Sequence, residues 1–183
     1  MKDRFEEKTV SSEPIFEGRV IDLKVDTVQL PNGKQSKREI VNHPGAVAIL
    51  AITEEKKLVM VEQYRKPLEK SLVEIPAGKL ENGEAPETTA VRELEEETGY
   101  TTDQLELITS FYTSPGFADE IVYIYLADHL KKLEEAVDGD EDEFVTMREV
   151  TLEEARHLEK EQLIHDAKTS YALMYASRYL SEE

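Results

Sequence analysis

Between Pro86 and Thr98 the chain carries a segment whose start, stop and side-chain pattern all specify one conformation. Proline stands where a helix can spare an N–H, and Gly99 stands where a helix ends on a left-handed residue, so the pattern predicts a helix over 86–98. At 3.6 residues per turn Glu93, Glu96 and Glu97 share an arc of about 100°. Ala90, Val91, Leu94 and Thr98 fill the adjoining arc and are expected to hold the helix on a sheet, while Glu95 is expected to face water. The fold must therefore place a ridge of three carboxylates along the edge of a packed helix. Like charges at this spacing repel by a few tenths of a kcal/mol per pair, roughly, and a bound cation would reverse the sign. Oxygen donors with no histidine or cysteine nearby select Mg²⁺, Mn²⁺ or Ca²⁺ rather than zinc. Arg92, four residues before Glu96, is placed to pair with it. Upstream, Gly78 and Gly83 flank an expected turn over 77–84, where glycine lets backbone approach a ligand closely, and Glu84 complements the helix dipole.

The segments around this helix read mainly as strands. Gly45–Ile52, Lys57–Tyr64, Ser71–Ile75, Leu105–Phe111, Glu120–Leu126 and Phe144–Met147 are short, rich in β-branched or aromatic residues and bounded by turn formers. Leu152–Leu158 is expected to be a short helix. Asp166–Leu180 is expected to be an amphipathic one, with Ala167, Tyr171, Leu173, Met174, Tyr175 and Leu180 as its core stripe. Ahead of them, Val20–Leu30 and Lys37–Val41 are separated by Pro31-Asn32-Gly33, and Asn-Gly is a strong hairpin signal. Residues near 8–41 thus read as a small antiparallel sheet appended to the main body.

Gly78, Glu84, Arg92, Glu93, Leu94, Glu96, Glu97, Gly99 and Tyr100 fill every fixed position of the pattern G-x5-E-x7-R-E-U-x-E-E-x-G-U, where U is aliphatic or aromatic. This is the Nudix box, and the chain resembles the Nudix hydrolases, which split nucleoside diphosphates linked to another group. The resemblance implies an α+β fold, a Nudix α/β/α sandwich with a mixed sheet over residues 42–183, with the small N-terminal antiparallel β-sheet over 1–41 serving dimerisation. It implies Glu93, Glu96 and Glu97 as metal ligands with the carbonyl of Ala77 as a further one, Glu96 also standing as a water-orienting base. The expected metal is Mg²⁺, with Mn²⁺ as an alternative.

A narrower resemblance lies outside the box. Pro115 stands sixteen residues past Gly99, and Ser114-Pro115-Gly116-Phe117-Ala118-Asp119-Glu120 is similar to a Ser-Pro-Gly-x-x-x-Glu segment of the ADP-ribose pyrophosphatase subfamily. Its glutamate contacts the terminal ribose there, which points to Ser114 and Glu120. By the same similarity Arg38 and Glu39 approach the adenine end and Arg65 the phosphates or ribose. The implied reaction takes ADP-ribose and water to AMP and ribose 5-phosphate, in a homodimer whose exchanged N-terminal sheets complete the adenine sites. Other ADP-sugars, dinucleotide polyphosphates or a noncatalytic nucleotide-sensing role are the alternatives.

The acidic run Asp138-Gly139-Asp140-Glu141-Asp142-Glu143 admits two readings. An EF-hand would need glycine where Glu143 stands and helices on both sides, so it is set aside. The family resemblance instead makes Asp140, Asp142 and Glu143 alternatives for a catalytic base or late metal ligand. The four histidines form no His-x-x-x-His pair, and neither a Gly-x-Ser-x-Gly elbow nor a phosphate-binding Gly-Lys-Ser/Thr loop occurs. A net charge of −18 opposes nucleic acid and anionic membranes as partners. It would repel a polyphosphate too, unless divalent cations intervene. With no cysteine, no apolar run near the roughly 20 residues needed to span a bilayer, and no visible leader, the expectation is a soluble cytoplasmic protein.

Overall fold

The computed structural model describes residues 4–135, 137 and 144–182, so Asp140, Asp142 and Glu143 lie outside the described residues. The chain divides into two compact units, one comprising Met1–Gly45 with Tyr112–Ile121 and the other Ala46–Phe111 with Val122–Glu183.

In the first unit, β1 (Lys8–Glu17), β2 (Asp22–Gln29) and β3 (Gln35–Asn42) form an antiparallel sheet in that order. The β2–β3 hairpin closes where Asn-Gly foretells it: Gly33 sits at φ 82° and the Leu30 amide donates to the Lys34 carbonyl at 2.8 Å. Strand β1 extends the sheet beyond the expected hairpin. Its pairing slips between Thr9 and Ser11 and between Pro14 and Phe16, which erases the period-two pattern that marks a strand in sequence. Buried Asp26 pins β1 to β2 by accepting hydrogen bonds from Thr9 (3.2 Å) and Ser12 (2.6 Å). The end of β3 holds the segment Tyr112–Ile121. Val41 donates its amide to Phe117 and accepts from that of Asp119, whose carboxylate takes hydrogen bonds from Asn42 and the His43 amide.

The second unit is built on a mixed sheet. Its strands are β4 (Ala46–Ile52), β5 (Leu58–Arg65), β6 (Lys70–Glu74), β7 (Ala77–Lys79), β9 (Glu106–Tyr112), β10 (Ile121–Ala127) and β12 (Val145–Val150). The main path runs β12-β5-β4-β10-β9, with β10 parallel to β4. A two-residue pair, β8 (Tyr100–Thr101) with β11 (Lys131–Lys132), stands apart. Alternate residues of β4 serve opposite faces, as the pleat requires. Val47, Ile49 and Ala51 join Ala90 and Leu94 of α1 (Pro86–Thr98), while Ala48, Leu50 and Ile52 join Ala155 of α2 (Leu152–Lys160) and Ala172, Leu173 and Ala176 of α3 (Ala167–Glu182). Helix α1 therefore covers one face, and α2 and α3 the other. Helix α2 starts on a capping box between Thr151 and Glu154, worth about 1 kcal/mol.

Two expectations change. In α3 Leu173 is buried and Tyr175 and Leu180 pack partly buried against the same core as expected, but the other fully buried positions are Thr169, Ala172 and Ala176, while Met174 is 65% exposed and Ala167 and Tyr171 are also exposed. Small side chains bring the helix close to the sheet, and a count of large apolar residues misplaces that face. Residues 77–79 are not turn but strand. β4 and β5 pair only at Ala51–Val59 and Ile52–Leu58; beyond this they part, β4 pairing with β7 and β5 with β6. The Pro76 carbonyl accepts the Ile49 amide at 2.8 Å inside the fork. Pro76 interrupts the run without ending the sheet, because its missing N–H falls where the chain passes from one partner strand to another.

Candidate functional site

The fork brings Ala77 and Gly78 beneath the acidic ridge of α1. Only Gly78 permits this approach, since a β-carbon there would stand 1.8 Å from Cδ of Glu93. Glu97 accepts the amide hydrogen of Ala77 at 2.9 Å. Glu93 and Glu97 are each 8% exposed, unusual for glutamates without a compensating role. Arg92 supplies part of the compensation. Its Nη1 donates to Glu93 and Glu96, both at 2.9 Å, and its Nη2 to Glu84 at 3.3 Å. Burial opposes the Arg92 charge, but the hydrogen bond to Glu84 and the charges of Glu93 and Glu96 raise its pKa above the ordinary arginine value. Glu84 also accepts from buried Thr89, and this bond, reinforced by Arg92, holds its carboxyl below the usual range. The expected Arg92–Glu96 pair is thus one strand of a wider web. Glu95, expected to face water, is half-buried and accepts the Thr101 hydroxyl at 2.6 Å.

This oxygen-only donor set, with a backbone cradle that a β-carbon would fill, suits a hard divalent cation. Among the described residues no three acidic or histidine side chains are gathered closely enough to hold one as they stand. Arg92 draws Glu93 and Glu96 to itself and supplies positive charge at the ridge.

Arg65, at the end of β5, reaches the same unit's interior. Its guanidinium grips buried Glu74 of β6 through Nε–Oε1 (2.7 Å) and Nη2–Oε2 (2.8 Å), and Lys168 of α3 donates to the same Oε2. Burial pushes the Glu74 carboxyl up, but hydrogen bonds and charge from Arg65 and Lys168 prevail and hold it at about 2. Glu74, Lys168 and Asp166 belong to no motif in the sequence. The available signal was a lone carboxylate inside the apolar run Leu72-Val73-Glu74-Ile75-Pro76, every residue of which is buried.

The remaining expected residues lie in the first unit. Ser114 opens a turn, its carbonyl accepting the amides of Phe117 and Ala118, and the Thr113 amide donates to the Glu120 carbonyl at 3.2 Å. The Thr113 hydroxyl donates to the Glu120 carboxylate. His43 Nδ1 accepts the Gly45 amide at 3.0 Å, and its approach to Glu120 Oε1, 3.8 Å, is too long for a hydrogen bond. Arg38 is engaged with Glu7 by two bonds, at 2.8 and 2.6 Å, and with Ser36. Adjacent positions on a strand face opposite ways, so Arg38 and Glu39, consecutive on β3, are not brought to one face.

Comparison with known proteins agrees with this architecture. Residues 42–173 match the NUDIX domain, and residues 7–41 match the nucleoside diphosphate sugar hydrolase N-terminal domain. The chain is 65% identical over 170 residues to the ADP-ribose pyrophosphatase of Bacillus subtilis (strain 168), covering 93% of this chain and 92% of that protein. It is 64% identical over 171 residues to a methanol dehydrogenase activator of Bacillus methanolicus, with the same coverage, 93% and 92%. Among solved structures, that of an ADP compounds hydrolase superposes with a TM-score of 0.83 at 21% identity, covering 97% of this chain and 95% of that one, a likeness of fold.

Proposed function

The chain belongs to the NUDIX family and is a pyrophosphohydrolase, and from that premise we propose that it cleaves the diphosphate of ADP-ribose to give AMP and ribose 5-phosphate. The observation that carries the reading is the meeting of α1 with the fork: Glu97 bound to the Ala77 amide, and Glu93 lying where only glycine leaves room. In this reading Glu93, Glu97 and the Ala77 carbonyl, with Glu96, hold a divalent cation, Mg²⁺ or Mn²⁺. When bound, the cation neutralises diphosphate charge and acidifies a water molecule. Water adds its oxygen to one phosphorus as that phosphorus parts from the bridging oxygen, and the water's proton passes to a carboxylate. Glu96, Asp140, Asp142 and Glu143 are the proposed acceptors. Arg65 meets the phosphates or ribose, Ser114 and Glu120 the terminal ribose, and Arg38 and Glu39 the adenine end.

The reading includes a homodimer. Val10, Ile15 and Phe16 are each more than half exposed on β1 of the N-terminal sheet, apolar surface that a second copy would bury. Absence of cysteine suits a cytoplasmic setting, and no helix among the described residues is long and apolar enough to cross a membrane.

The test is AMP release from a panel of ADP-ribose, other ADP-sugars and dinucleotide polyphosphates in millimolar Mg²⁺, with and without excess chelator. ADP-ribose should be cleaved with the highest kcat/KM, and chelator should abolish turnover. Glu97→Gln should lower kcat by about three orders of magnitude, whereas Glu95→Gln, which still accepts the Thr101 hydroxyl, should leave it within about twofold. Full turnover in chelator, or equal losses in the two variants, would overturn the assignment.

A further inference from the structure

Glu74 has 3% of its side chain exposed, and a carboxylate so placed must be paired. The bidentate fork from Arg65 alone satisfies that requirement. Yet Lys168, itself 17% exposed, also donates to Oε2 of Glu74. Its other partner is Asp166 Oδ1 at 2.9 Å, which also accepts the Thr169 amide at 3.1 Å and so caps α3. The fully buried Thr169 hydroxyl accepts the Ile75 amide at 3.2 Å. The first turn of α3 therefore grips two consecutive residues, Glu74 at the end of β6 through charge and Ile75 just beyond it through backbone.

The consequence falls on Arg65. Its fork uses Nε and one Nη2 hydrogen, and Nη1 donates to nothing among the described residues. The side chain is 39% exposed and lies within the field of Glu97. Two carboxylates, Glu74 and Asp166, face two cations, Arg65 and Lys168, so the cluster is balanced. Without Lys168 the cluster would carry a net negative charge, and Glu74 would draw on Arg65 alone.

We propose that Lys168 is a positioning residue for substrate binding: by holding Oε2 of Glu74 from the first turn of α3, it fixes the Arg65 guanidinium with its Nη1 edge presented to the substrate's diphosphate. This rests on the reading above that Arg65 meets the substrate. Lys168 touches Glu74, not the substrate, and acts on KM through Arg65.

The test is a double-mutant cycle on the full chain, with ADP-ribose and Mg²⁺, measuring KM, kcat and the thermal midpoint for Arg65→Ala, Lys168→Met and the double variant. Lys168→Met should raise KM about fivefold or more with kcat within about twofold, and in the Arg65→Ala background it should add nothing to KM. Lys168→Arg, which keeps the charge and the donor, should restore KM to within about twofold of the parent. A fall in thermal midpoint with KM unchanged, or a KM effect that persists in full after Arg65 is removed, overturns the inference and leaves Lys168 a structural anchor. An unchanged KM in Arg65→Ala instead overturns the substrate role of Arg65, a distinct failure. If Lys168→Met does not fold, Lys168→Gln retains a hydrogen-bond donor without the charge and must reproduce the same pattern.

Discussion

A β-carbon on Gly78 would collide with the far end of Glu93, 1.8 Å from Cδ and 2.0 Å from Oε1, and with nothing nearer. Because the obstructed group is the tip of a flexible side chain, and Gly78 does not occupy the left-handed region, the fold can absorb the change by turning Glu93 aside. Gly78→Ala should therefore preserve stability to within about 1 kcal/mol while lowering kcat at least about a hundredfold, since one proposed ligand of the divalent cation leaves its place. Thermal unfolding and steady-state kinetics on the same preparation check both halves. A variant that unfolds, or one that keeps full activity, would mean that the close approach does not serve the chemistry. Glu74 is the converse case, a residue whose neighbours constrain its charge rather than its volume.

At the scale of elements, the junction of β6 with α3 stores pH dependence. The Glu74 carboxyl is held at about 2, well below the ordinary glutamate value. A group lowered on folding stabilises the protein fully above its unfolded pKa and ceases to do so as pH falls through the folded one. The junction should thus contribute undiminished stability at neutral pH and lose it between about pH 4.5 and pH 2, an effect of roughly 3 kcal/mol at most. Urea unfolding of the parent and of Glu74→Gln across this range should show a gap between them that narrows as pH falls. A gap independent of pH would assign the stabilisation to packing instead. The same junction anchors the strand that leads into Pro76 and Ala77, so an element remote in sequence helps to set the backbone beneath Glu97.

For the whole molecule, the net charge of −18 and the exposed apolar side chains of Val10, Ile15 and Phe16 act in opposite senses, one keeping copies apart and the other giving two copies something to bury. If the proposed homodimer shares residues between its two sites, Arg38→Ala and Glu97→Gln subunits should complement each other. After verified subunit exchange, an equimolar mixture should recover about a quarter of parental activity, because half the dimers are mixed and each holds one intact site. A mixture no more active than the mean of the two homodimers, with both variants folded, would refute the shared site. Removing residues 1–41 should give monomeric or aggregated protein with a greatly raised KM for ADP-ribose, read by light scattering and kinetics.

Local chemistry fixed what could be read without tertiary contacts. The ends of α1 follow from Pro86 and Gly99, the β2–β3 turn from Asn32-Gly33, and the acidic ridge from the spacing of Glu93, Glu96 and Glu97, because each depends on dihedral preferences or on a helical period carried by the residues themselves. The resemblance to the Nudix box is legible for the same reason, its fixed positions all lying within the short stretch 78–100. Other features needed partners distant in the chain. Strand β7 exists because β4 and β5 part and leave edges to be paired, β1 because β2 offers one, and the buried face of α3 because small residues allow a close approach to the sheet. The Arg65–Glu74–Lys168 cluster joins residues 94 positions apart at its widest bond, and no local propensity records such a contact. Burial decides it, since a carboxylate carried into the core takes its counter-charges from whichever elements the fold brings alongside.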